Sequence, residues 1–204
     1  MRTPRLEIRS PTPASRFQFL TLPGYSGSGP EHWQTLWERD DPSFARVEQK
    51  DWDHPDPQEW SVAIEAAIRG ASKKVVLVAH SCGVTAVAHW ARLFAPDIGV
   101  AGAFLVAPPD LDRTDLEDSI RAFGPAPLDP LPFPSMLVAS EDDPYCGIDR
   151  ARAFATAWGS SFVSAGNRGH INTASGHGPW PEGKRLLTAF ATQLKFGSDP
   201  AQAF

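Results

Sequence analysis

The chain predicts an α/β fold, a three-layer sandwich in which a mostly parallel sheet of about six strands carries helices on both faces. Three features lead there. Short apolar runs recur, as strands covered on both faces require. Helical patterns with start and stop signals stand between them, and the alternation continues without a composition shift. A length of 204 residues fits one unit, since about 100–200 residues per domain is usual. A single domain is expected over residues 16–196, with a mobile arm over 1–15, where Pro4, Pro11 and Pro13 break any element, and a tail over 197–204.

The elements follow in chain order. Residues 17–22 form the first apolar run, and 31–39 read as a helix. Residues 46–51 alternate apolar and charged side chains and suit an edge strand. The next helix is sharply marked: Asp56 can cap, Pro57 fits the first helical position and Glu59 falls at the capping-box position. Trp60, Ala63, Ile64, Ala67 and Ile68 then recur at helical spacing before Gly70. Residues 75–79 are the most apolar strand and run straight into a helix over 82–95. That helix is apolar almost all round, as a buried central helix is, and stops before Pro96. A strand over 100–107 precedes an unusual stretch, acidic from Asp110 to Asp118 and proline-rich from Pro125 to Pro134. It reads as a loop or short helix and a stiff return beside a substrate mouth. A strand over 135–140, a helix over 149–158 with Gly159 beyond it, a less apolar strand over 161–165 and a final helix over 181–195 complete the chain.

Composition excludes several function classes. With 19 Lys+Arg against 24 Asp+Glu the net charge is −5, so the basic footprint that nucleic acid demands is missing and no nucleic-acid partner is expected. No apolar run approaches the ~18 residues that cross a bilayer, so no membrane partner is expected either. No two histidines stand at the i, i+4 spacing of a helical zinc site, which disfavours metal. Nothing near residue 1 resembles a secretory signal, and Cys82 and Cys146 read as free thiols in a reducing cytoplasm. Oligomeric state is not fixed by these features.

The chemistry concentrates at residues 75–83, VVLVAHSCG, where an apolar strand enters a helix with Ser81 at the junction. In a G-x-S-x-G nucleophile elbow, small flanking residues permit a sharp turn that lifts the serine hydroxyl above the sheet. Gly83 matches and Ala79 replaces the first glycine. The plain alternative is that Ser81 only caps the helix. A serine hydroxyl needs a base and an orienting carboxylate, and in α/β hydrolases the order is Ser, acid, His. Asp143, just past the strand over 135–140, is the expected acid, with Asp142 and Asp110 as rivals. His170, on a short Gly-rich loop after the last strand, is the expected base. His177 reads as a rim residue, His80 as pointing away from the site and His89 as structural. The backbone N–H groups of Cys82 and Tyr25 are the expected oxyanion donors, with Gly24 beside them. The Cys82 side chain itself is expected to face inward. Trp33, His177 and Trp180 are expected to border a shallow pocket for a small acyl substrate, and no cofactor is needed.

Five stretches resemble a known group. These are Leu22-Pro-Gly-Tyr25 with His32-Trp33 after it, Ala79-His-Ser-Cys-Gly83, Ser140-Glu-Asp-Asp-Pro-Tyr145, Gly169-His-Ile-Asn172 and Gly178-Pro-Trp-Pro-Glu-Gly183. In this order they are similar to the small serine hydrolases that include retinoblastoma-binding protein nine and the bacterial YdeN-type proteins, over residues 17–190. The resemblance implies a reduced α/β-hydrolase fold lacking the first two strands of larger members, with Ser81, Asp143 and His170 on the triad positions. It also implies esterase-like or aminopeptidase-like hydrolysis of small esters, thioesters or amides, without specifying the substrate. The competing expectation is a catalytically weak, partner-binding module on the same fold, because a fold alone does not fix function.

Overall fold

Side-chain alternation along each strand divides the sheet between two cores. In β1 (Phe17–Leu22), Phe17 and Phe19 enter one core while Leu20 and Leu22 enter the other. In β3 (Lys74–His80), Val76 and Val78 join the first core, and Val75, Leu77 and Ala79 the second. The same division holds in β4 (Val100–Val106) and β5 (Ser135–Ala139). Strands with both faces covered must be apolar at nearly every position, which is why these runs stand out in the sequence.

The computed structural model describes residues 16–94 and 99–194. The arm over 1–15, Pro96 and the tail over 197–204 lie outside the described residues. Between the strands stand α1 (Trp33–Asp40), α2 (Pro57–Gly70), α3 (Cys82–Phe94), the single turn α4 (Asp118–Arg121), α5 (Ile148–Trp158) and α6 (Pro181–Gln193). With β2 (Phe44–Arg46) and β6 (Ser161–Ser164) the sheet has 6 strands, all parallel, in the order β2-β1-β3-β4-β5-β6. Helices α1 and α6 cover the face holding Phe17, Phe19 and Phe104; α2, α3 and α5 cover the opposite face. The chain therefore leaves β1 by a helix on one face and β3 by a helix on the other. Such a switch point opens a crevice at the carboxyl ends of the two neighbouring strands.

Some expected boundaries move. The edge strand occupies Phe44–Arg46 rather than 46–51, because Phe44 stacks on Phe19 with ring centroids 4.6 Å apart. Asp51 instead turns the chain, its carboxylate accepting from the Asp53 and His54 N–H groups, each at 2.9 Å. Asp56 caps α2, accepting from Gln58 and Glu59 N–H at 2.9 and 2.8 Å. Glu59 reaches Lys50 at 2.7 Å, so the side chain expected to close the capping box is engaged elsewhere. In the stretch over 110–134, buried Phe123 and Phe133 pin the chain to the core and leave α4 beside the crevice. Among the described residues, no helix is long and apolar enough to cross a membrane.

Candidate active site

Strand β3 ends at His80 and helix α3 starts at Cys82, so Ser81 alone makes the turn. Its φ of 55° lies in the left-handed region that L side chains avoid. Hydrogen bonds hold the strain: Ser81 N–H donates to the Val106 carbonyl at 3.0 Å, and Val84 N–H to the Ser81 carbonyl at 2.9 Å. Small residues let the neighbouring loop close on this turn. A Cβ on Gly83 would overlap the Leu22 carbonyl, and one on Gly24 would come within 2.7 Å of Ser81 Cβ. The residues matching the elbow pattern thus do steric work, and the Gly24–Tyr25 loop lies against the serine.

The loop after β6 returns His170 to the same edge. His170 Nε2 stands 2.9 Å from Ser81 Oγ, and its Nδ1 stands 2.9 and 3.0 Å from the two Asp143 oxygens. The His170 and Asp143 side chains are only 8% and 2% exposed, so little solvent competes for these bonds. A carboxylate can only accept, so Nδ1 carries the ring proton and Nε2 presents its lone pair to the serine hydroxyl.

The rival carboxylates are engaged elsewhere. Asp142 accepts from the Ser140 hydroxyl at 2.6 Å and the Gly169 N–H at 2.7 Å, which hold its carboxyl below the usual range. Asp110 pairs with Arg150 at 3.1 Å. Cys82 is buried as expected, and burial raises its thiol to about 11, outweighing the opposing effect of the Tyr25 backbone. Being the first residue of α3, Cys82 has an N–H with no acceptor inside the helix.

A pocket of about 320 Å³ opens over these groups, its lining including Gly24, Tyr25, Ser81, Ile120, Tyr145 and His170. Among the described residues, no Asp, Glu, Lys or Arg lines it. The expected border residues need correcting. Trp33 is fully buried and donates its indole N–H to the Ile171 carbonyl at 3.0 Å. Trp180 is buried against it, ring centroids 5.1 Å apart. His177 bonds Ser175 and packs on Trp180, outside the pocket lining. These aromatics fill the layer between α1, α6 and the sheet, where large apolar groups gain more than at a rim.

His80 also departs from expectation. It lines the pocket, and its Nε2–H donates to the His170 carbonyl at 2.9 Å. His32, quoted above only as part of a motif, lines the pocket too, while its Nδ1 accepts from Gln34 N–H at 3.3 Å to cap α1. Burial, followed by Arg46 and His170, lowers its pKa to about 3. Burial likewise keeps His80 well below the usual imidazole range. The only signal for these two was their position, one residue before the serine and one before a helix. Among the described residues, no group of three or more His, Cys, Asp or Glu is arranged to hold a metal ion.

A family model described as serine hydrolase matches residues 19–189. The chain belongs to the serine hydrolase family. Among solved structures, this hydrolase is 34% identical to a YdeN-like hydrolase from Pectobacterium atrosepticum, with a TM-score of 0.79 over 89% of this chain and 94% of that one. The ydeN gene product of Bacillus subtilis is 16% identical, with a TM-score of 0.65 over 87% of this chain and 100% of that one. An esterase from a Rhodococcus species is 12% identical, with a TM-score of 0.64 over 89% and 92%. The last two show the shared α/β-hydrolase fold alone. No curated protein matches the chain.

Proposed function

We propose that this hydrolase cleaves small, uncharged carboxylic esters and thioesters through an acyl-serine intermediate, with Ser81, His170 and Asp143 as its triad. The observation that carries the reading is the unbroken line of hydrogen bonds from Ser81 Oγ through His170 to Asp143, each about 2.9 Å. Ser81 Oγ bonds to the carbonyl carbon as its proton passes to His170 Nε2, and the carbonyl π pair moves onto oxygen. The Tyr25 and Cys82 N–H groups receive that oxyanion, a contribution typically worth ~10²–10³ in rate per donor. Collapse breaks the bond to the leaving alcohol or thiol, which takes the proton from His170. Water then repeats the sequence on the acyl-serine, releasing the acid and returning the proton to Ser81. Asp143 fixes the tautomer and stabilises the imidazolium.

Pocket chemistry favours esters over aminopeptidase substrates. An α-ammonium group needs a carboxylate partner once it is desolvated, and the lining has none. The cavity, about 320 Å³, lies at the small end of the roughly 300–1,000 Å³ usual for ligand sites, which favours short acyl chains. The two unbridged, buried cysteines fit a reducing, cytoplasmic setting, which fractionation of cells producing the chain checks.

A fluorophosphonate probe tests the assignment. It should label the wild type and Cys82→Ala but not Ser81→Ala. A folded wild type that takes no label would instead favour a partner-binding module on a hydrolase fold.

A further inference from the structure

We propose that His80 and Trp33 are positioning residues which hold the backbone of His170 by two consecutive carbonyl groups and so set its distance from Ser81. The inference rests on the reading of His170 as the base.

The loop carrying His170 holds only a single 3₁₀ turn, Thr173–Ser175, yet its peptide groups are tied to three different parts of the fold. Arg168 N–H donates to Ser140 Oγ at 2.8 Å and Gly169 N–H to Asp142 Oδ1 at 2.7 Å, both on the loop after β5. The His170 carbonyl accepts from His80 Nε2 at 2.9 Å, at the end of β3. The Ile171 carbonyl accepts from Trp33 Nε1 at 3.0 Å, at the start of α1. Both carbonyl bonds are buried. Between them Ile171 adopts φ 48°, a left-handed conformation that a β-branched side chain avoids and that persists only where its surroundings impose it. The two ring donors, the turn bond from Ile171 N–H to the Arg168 carbonyl at 3.2 Å and the full burial of Ile171 are those surroundings.

His80 adds a shorter constraint. Its backbone is bonded to Ser81 and its side chain grips His170, so nucleophile and base are linked through one residue. The acceptor is a carbonyl, which fixes His80 as the Nε2–H tautomer. Burial keeps that ring uncharged, so the donor does not oppose the positive charge that develops on His170. A displacement of about 1 Å at such a site costs on the order of 100-fold in rate.

The test compares kcat and KM for p-nitrophenyl acetate, with kcat expressed per active site counted from the burst of p-nitrophenol. His80→Leu should lower kcat ~10- to 100-fold and slow fluorophosphonate labelling equally, with KM changed by no more than about twofold. His80→Gln, whose side-chain amide can donate from near the position of Nε2, should restore most of the rate. A purely structural role would reduce the number of active sites without changing the rate at each. Trp33→Phe removes the second donor while keeping an aromatic ring, and it decides the matter if His80→Leu does not fold. Unchanged kcat per site in the folded variants overturns the inference and leaves the base assignment standing. Full activity in His170→Ala overturns the base assignment and the inference with it.

Discussion

Three candidate acids, Asp110, Asp142 and Asp143, lie on the loops after β4 and β5, and only their bonding separates them. Chain order made the Ser81, acid, His170 sequence legible, but Asp142 and Asp143 are neighbours of identical chemistry. What distinguishes them is direction: Asp143 turns to the imidazole, whereas Asp142 holds Ser140 and Gly169. Replacing Asp143 by Asn should lower kcat by ~10³- to 10⁴-fold, the cost of losing the correct tautomer. Asp110→Asn should stay within about threefold of wild type, as a group outside the proton line would. Turnover of p-nitrophenyl acetate measures both, and a fully active Asp143→Asn would remove the proposed acid. The cysteines are the other decision at this scale. Burial raises Cys82 to about 11 and Cys146 to about 12, so neither offers appreciable thiolate near neutral pH. A disulfide-exchange reagent at pH 7.5 should find no reactive thiol in the native protein and both after denaturation. Rapid titration of a native thiol with loss of activity would contradict this account of the elbow.

Helix ends were easier to read than strand ends because caps are local. Asp56 and Pro57 name the start of α2 from within two residues, and the carboxylate bonds two of the orphan N–H groups there. Asp56→Ala should therefore cost about 1 kcal/mol, or roughly 2–4 °C in Tm for a chain of this size. A thermal melt unchanged by the substitution would show the cap to be idle. Glu59 illustrates the limit of local reading: the motif permitted a reciprocal bond, but Lys50, nine residues earlier, supplied a better partner. β2 was misplaced for a related reason. Its start is set by the stacking of Phe44 on Phe19, a contact between strands that alternation within residues 46–51 cannot reveal.

At the scale of the whole molecule, alternating strands and helices announced a parallel sheet, and a parallel sheet places every strand's carboxyl end at one edge. That is why residues as distant as Ser81 and His170 could be expected to meet. Strand order and side-chain depth were not encoded in the same way, so Trp33 and Trp180 were assigned to a rim they do not reach. Folding also gathers imidazoles that are far apart in sequence. The rings of His32 and His80, and those of His80 and His170, lie 4.9 Å apart. His32 is lowered to about 3 and His80 falls well below 6.5, whereas both titrate near 6.5 once unfolded. The unfolded chain consequently binds more protons below pH 6.5. The stabilising effect of keeping these rings neutral is complete above that pH and is lost as pH falls toward 3. Each proton taken up only by the unfolded chain tilts stability by about 1.4 kcal/mol per pH unit, so both groups lower it in the same direction as pH falls. His89 and His177, shifted the same way by burial but partly exposed, add less. The urea midpoint should hold steady from pH 8 to 7 and fall steeply below pH 6. His32→Asn keeps a side-chain acceptor for the α1 cap and removes one buried imidazole, so it should make that acid limb shallower by about half. A midpoint equally high at pH 5 and pH 7 in the wild type would show that these rings accept protons without unfolding the chain.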